Sequence, residues 1–218
     1  MASDFARVFG DRFVGLVASP NGASAAFVAS LTSDDLDALG PLAAVWHHAA
    51  LDVPLVMTPD EFHRSLDTFP LEYQALLDHH VVIAGRAPFE GIHIQSDDLR
   101  RACEAQARGH LIHLRQGWIE HGSHHNGLAE LVADSAPALR MVLQNLARLD
   151  AGAGGTPLDD GALADWAERT AGLPGALVRE VLAVDGAQHK VHSLVPKLPE
   201  YLAASERLWA YTDAWRAR

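Results

Sequence analysis

Residues 12–30, RFVGLVASPNGASAAFVAS, decide how the first part of the chain folds. Two short apolar runs, residues 12–19 and 25–30, flank Pro20, Asn21 and Gly22, residue types that reverse a chain. The pattern predicts two strands paired as an antiparallel hairpin.

Downstream, Thr32 or Ser33 can cap a helix whose first turn holds Asp34 and Asp35, where acids complement the helix dipole. Leu36, Leu39, Leu42, Val45 and Trp46 recur at helical spacing, and Pro41 is expected to bend or divide the helix. A third strand is expected at residues 54–57. It leads into Thr58-Pro59-Asp60-Glu61, which combines an N-cap, a first-turn proline and a capping-box glutamate. Helix continues through Phe62, Leu66, Leu71, Leu76 and Leu77 with a break near Pro70, and after His79-His80 comes the strand VVIAG. The order is ββαβαβ, a mixed-sheet pattern.

From Ser96 onward strand signals fade, and helices are predicted at about residues 96–121, 128–150, 160–171, 176–184 and 199–217. The fold class expected is therefore α+β: a small mixed-sheet domain at residues 1–92, then an all-α helical bundle at residues 93–218. The glycine-rich AGAGGT at residues 151–156 is read as a short connection inside the bundle.

Composition narrows the function classes. A 49% hydrophobic content suffices for a packed core, and 28 acidic against 17 basic residues oppose general nucleic-acid binding, which draws its affinity from phosphate attraction. A single cysteine, Cys103, cannot form an intramolecular disulfide, and MASDFARVFGDRF has neither a basic leader nor a long apolar core. No apolar run approaches the roughly 20 residues that span a bilayer. The expectation is a cytoplasmic protein without membrane partners.

On the helix expected at residues 96–121, Arg101, Glu104, Arg108 and Arg115 fall within a sector of roughly 60°. Glu104 is placed to pair with Arg101 and Arg108, while Arg115 requires an acid from elsewhere, or a ligand. Leu111, Ile112, Trp118 and Ile119 lie near that sector and Leu99, Cys103 and Leu114 opposite it, so the helix is expected to be apolar nearly all round and to run through the interior. Two readings of the charges stand side by side: a network reaching Glu72 or Asp78, or a site for a phosphate or carboxylate.

Two segments together, FPLEYQALLDHHVVIAG at residues 69–85 and LRRACEAQARGHLIHLRQGWIE at residues 99–120, resemble bacterial nucleotidyltransferase-like proteins of the polymerase-beta superfamily. The resemblance implies a small mixed-sheet domain before a helical bundle. It also implies a Gly-Ser pair closing the first strand and an Asp-x-Asp pair entering the second, whose carboxylates hold the magnesium ions that neutralise a nucleotide's phosphates. Here Ala18-Ser19 stands for the first pair, Ser24 and Ala26 stand for the aspartates, and no acid occurs from Phe13 to Ser33. PLVMT at residues 54–58 lacks a third carboxylate, and SPNGA at residues 19–23 is shorter than the family's triphosphate loop. The motif is degenerate, and neither metal-dependent nucleotidyl transfer nor a cofactor is expected.

Thirteen histidines, clustered as His47-His48, His79-His80, His110/His113 and His121/His124/His125, invite a metal reading, but no HExxH or cysteine-rich pattern accompanies them. No metal site is assigned. Arg115 to His121 has the Arg-x5-His spacing of HEPN-type ribonucleases, on a chain too acidic to favour RNA. Neither Ser19, without a nucleophile elbow, nor Cys103, among apolar neighbours, reads as a nucleophile. Trp209, Tyr211 and Trp215 cannot all share one helix face, which leaves core packing and an exposed aromatic or homodimer contact as the readings of this helix.

The leading expectation is a non-catalytic protein binding a ligand or partner, with a small anionic ligand in the interdomain cleft as the partner named by the chemistry. Glu72, His79, His80, Arg101, Glu104, Arg108 and Arg115 are its candidate binding groups. The alternatives are an enzyme whose cleft has been refitted with Glu72, His79, His80, Glu104 and Arg115, and a structural homo-oligomer.

Overall fold

The two apolar runs pair as their composition requires. In the computed structural model, which describes residues 1–19, 24–152, 158–184 and 188–215, they form β1 (Phe13–Ala18) and β2 (Ser24–Val28), antiparallel with Ala18 opposite Ser24 and Leu16 opposite Ala26. The turn residues Pro20, Asn21 and Gly22 lie outside the described residues. β3 (Leu55–Met57) runs parallel to β2, and β4 (Val81–Gly85) antiparallel to β1, giving a mixed four-stranded sheet of order β3-β2-β1-β4.

Alternation along β2 sends successive side chains into two separate cores. Ala26 and Val28 face Phe5, Phe9, Leu39 and Trp46, while Ala25 and Phe27 face Phe62, Tyr73 and Leu76. The first core includes an element that the predicted order omitted, helix α1 (Ala2–Phe9), whose Phe5 and Phe9 lie one turn apart and stack at 6.0 Å. Eight residues are too few for periodicity to announce a helix, and packing beneath Trp46 stabilises it.

Helix α2 (Ser33–His48) starts at a complete capping box in which Thr32 Oγ1 accepts from the Asp35 amide and Asp35 accepts from the Thr32 amide. Arg12 clamps the same carboxylate with two bonds of 2.7 Å, and holds it well below the usual carboxylate range. Pro41 neither divides nor ends α2. The capping box at Thr58 and Glu61 opens a short helix, α3 (Pro59–Arg64). Pro70 begins α4 (Pro70–Asp78), because its missing amide proton costs nothing in a first turn.

Where β4 ends, its backbone crosses β1 at contact distance. A Cβ on Gly15 would sit 2.1 Å from the Arg86 oxygen, and one on Gly85, whose φ is +68°, would sit 2.3 Å from the Val14 oxygen. Only glycine fits at both positions.

Met1–Gln95 and Ser96–Arg218 form two compact units. The second is helical: α5 (Ser96–His121), α6 (His125–Ala151), α7 (Asp160–Ala171), α8 (Gly175–Leu182), a 3₁₀ segment (Gln188–Lys197) and α9 (Leu198–Ala214). Part of the predicted AGAGGT connection, residues 153–156, lies outside the described residues, as do positions 216 and 217 of the last predicted helix.

α5 packs along α6 and α9 through Leu99, Cys103, Ala107, His110, Leu111, Leu114 and Gly117, one stripe repeating every three or four residues. This corrects the expectation of a helix apolar all round, since Ile112 and Ile119 are 49% and 82% exposed. Hydrophobic residue type near a charged sector does not by itself fix burial. Gly117 lets α6 approach, as a Cβ there would meet Leu131 at 2.4 Å. Arg140 on α6 ties α7 and α8 together by two 3.0 Å bonds to Asp160 and one of 2.8 Å to the Leu182 carbonyl.

Candidate functional site

The hairpin positions Ala18, Ser19, Ser24 and Ala26 lie against packed groups. Ser19 is buried, Ala18 and Ser24 are half-buried, and Ala26 is wholly enclosed. With Ala25 and Ala26 each directed into an apolar core, β2 presents no acid on either face, and β3 has none to add. The surrounding charge is unfavourable to a polyphosphate as well. The first 95 residues carry twelve acids against four arginines and no lysine, and Arg12 among those four is committed to Asp35.

Of the candidate binding residues in the first unit, Glu72 on α4 and His79 just beyond it are exposed. His80 is half-buried. Its Nδ1 donates to the Leu76 carbonyl at 3.2 Å and its ring meets Phe89 edge-on at 4.7 Å, which is a packing role.

In the second unit the charged stripe of α5 is found, with Arg101 and Glu104 paired to helical neighbours other than those expected and Arg115 meeting an acid from another helix. Arg101 bonds Asp98 one turn back, and Glu104 takes Arg100 at 3.0 Å rather than Arg101 or Arg108. Arg108 lies over the Trp209 ring at 5.6 Å, a cation–π contact. Arg115, which lacks an acid on its own helix, meets Glu206 of α9 at 2.6 Å. Each of the four residues is thus engaged inside the helical unit. Spacing along one helix could not reveal Glu206, 91 positions away in sequence.

The C-terminal aromatics also find partners within the chain. Trp209 supports Arg108, Tyr211 meets Trp166 edge-on at 6.1 Å, and Trp215 is buried. Cys103 is buried, and that burial pushes its thiol up to about 12, so it is neither a ready nucleophile nor a thiolate ligand. Histidines do not converge: His125 and His192 stack face to face at 5.3 Å, His124 bonds the His121 carbonyl, and among the described residues no group of three metal-ligating side chains could hold an ion.

One polar cluster went unrecognised in the sequence. His110, Tyr201 and Ser135 meet inside the helical unit, with Tyr201 Oη 3.0 Å from His110 Nε2 and 2.9 Å from Ser135 Oγ. His110 and Tyr201 are 91 positions apart, and only a buried histidine at a core position of α5 could have hinted at the contact.

Fold and side chains together define a class: an α+β chain with a mixed four-stranded sheet and flanking helices, followed by a mostly helical region. Comparison with protein-family models, with curated proteins and with solved structures found no match. Among the described residues no helix is long and apolar enough to cross a membrane.

Proposed function

We propose that this chain is a non-catalytic, nucleotidyltransferase-like protein that acts by binding a ligand or partner. One observation carries the reading: the β2 positions that would supply metal-holding carboxylates are an alanine buried in an apolar core and a serine, with no acid nearby in the hairpin. Phosphoryl and nucleotidyl transfer depend on cations that neutralise the developing charge, and without acidic oxygens there is nothing to position them. The acidic balance of the first unit supports the same conclusion, because an unshielded triphosphate would be repelled.

The refitted-enzyme alternative is less well supported. Of the five groups it relies on, Glu104 and Arg115 already bond Arg100 and Glu206, and His80 is committed to Leu76 and Phe89. A binding role needs only that a ligand exchange with such surface pairs, which are worth about 1 kcal/mol or less each.

Two measurements test the reading. Full-length protein incubated with magnesium and each of the common radiolabelled nucleoside triphosphates, with nucleotide and protein acceptors present, is expected to transfer no label. Native mass spectrometry of protein purified gently from its own host is expected to show a bound species. Magnesium-dependent transfer above the level of a heat-denatured control would overturn the proposal.

A further inference from the structure

A line of polar groups crosses the core of the helical unit, joining α5, α9 and α6. His110 and Tyr201 are both buried, and Ser135 is half-buried. Ser135 Oγ donates to the Val132 carbonyl at 2.8 Å, Tyr201 Oη lies 2.9 Å from Ser135 Oγ, and His110 Nε2 lies 3.0 Å from Tyr201 Oη. Beside the phenol, the cavity among Leu139, Leu173, Leu177 and Val178 measures about 10 Å³, too small for a chain of waters to replace these protein partners.

Counting protons fixes the direction of all three bonds. A hydroxyl has one proton to donate and a carbonyl can only accept. The Ser135 proton is spent on Val132, so Ser135 must accept from Tyr201. The Tyr201 proton is then spent as well, and its oxygen must accept from His110, which requires hydrogen on Nε2. The reverse order would leave the bond to Val132 without a proton.

We propose that His110, Tyr201 and Ser135 form a one-way donor chain that locks the buried imidazole in its Nε2–H tautomer and makes the α5–α6–α9 junction the acid-sensitive joint of this unit. Tyr201 faces the imidazole from α9, α6 joins the chain through Ser135, and the charge that bears on the ring is that of His113, one turn along α5. None of these groups neutralises a second proton. Burial, followed by His113, accordingly holds His110 down at about 4. Below the ordinary histidine range the unfolded chain takes up a proton that the closed junction refuses, so acid favours opening.

The test uses the full chain labelled with nitrogen-15 at histidine. Proton–nitrogen correlation spectra recorded from about pH 8 down to about pH 5 should contain one imidazole that stays neutral and Nε2-protonated throughout. That signal should vanish in His110→Gln. Amide exchange at the junction, corrected for intrinsic rates, should open about 30-fold more at pH 5 than at neutral pH, and His110→Gln should remove that increase. Tyr201→Phe keeps the ring packing but removes the acceptor, and should release the tautomer to a mixture. An Nδ1–H tautomer, protonation of His110 within that pH range, or a tautomer unchanged in Tyr201→Phe would each overturn the proposal. The wild-type titration and Tyr201→Phe decide the matter even where His110→Gln fails to fold.

Discussion

Replacing Ala26 by aspartate puts back one of the carboxylates that a metal-dependent transferase would carry, at the point where the structure leaves least room for it. Ala26 is wholly buried beside Phe5, Leu39 and Trp46, with no cation among these packing neighbours. An unpaired charge in such a place costs about 3–5 kcal/mol, a large part of the roughly 5–15 kcal/mol that holds a domain folded. Burial raises the folded pKa of the new carboxyl above its unfolded value of about 3.9, so the folded state binds the extra proton more readily. The deficit should therefore be full near neutral pH and shrink as the pH falls toward 4, leaving the steric cost of the larger side chain. Urea unfolding of wild type and variant, compared at matched pH, measures this difference, and millimolar magnesium should not reduce it. Ser24→Asp, at the half-buried start of β2, should remain within about 1 kcal/mol of wild type. Ala26→Asp as stable as wild type, or stabilised by magnesium, would show that this face of the hairpin still admits a metal and would refute the proposed loss of catalysis.

Other outcomes follow from particular contacts. Gly85→Ala, which places a Cβ 2.3 Å from backbone and forces alanine to φ +68°, should cost at least about 2 kcal/mol by thermal unfolding, whereas Gly109→Ala, whose Cβ would meet no other atom within 4 Å, should be neutral or stabilising. A double-mutant cycle on Arg115 and Glu206, both about half exposed, should return a coupling of about 1 kcal/mol or less that falls with added salt. Stability above pH 6.5 should decline by about 2 kcal/mol on reaching pH 5, the direction required when the folded pKa of His110, about 4, lies below its unfolded value. Chemical denaturation at the two pH values, repeated with His110→Gln, isolates this loss. Cys103, buried and held up at about 12, should resist iodoacetamide until the helical unit unfolds, as peptide mass mapping would record.

Much of the architecture was written locally. The two apolar runs within residues 12–30, the N-cap signal at Thr32 or Ser33, the capping box at Thr58, and the onset of helical spacing at Ser96 are short-range signals, and each marks an element that the structure contains. The absence of acids from Phe13 to Ser33 was equally visible, since composition requires no fold to be read. Tertiary structure alone decided the rest. α1 is held by rings from elsewhere in the chain, α5 turns only one face inward, and Arg108 and Arg115 of its stripe meet Trp209 and Glu206 of α9, residues far away in sequence. The same holds for His110, an unremarkable histidine until α9 and α6 bring Tyr201 and Ser135 into its chain of hydrogen bonds. Local spacing determines which residues share a face of one element; burial and bonding depend on which face another element covers, and that is settled only when distant segments pack.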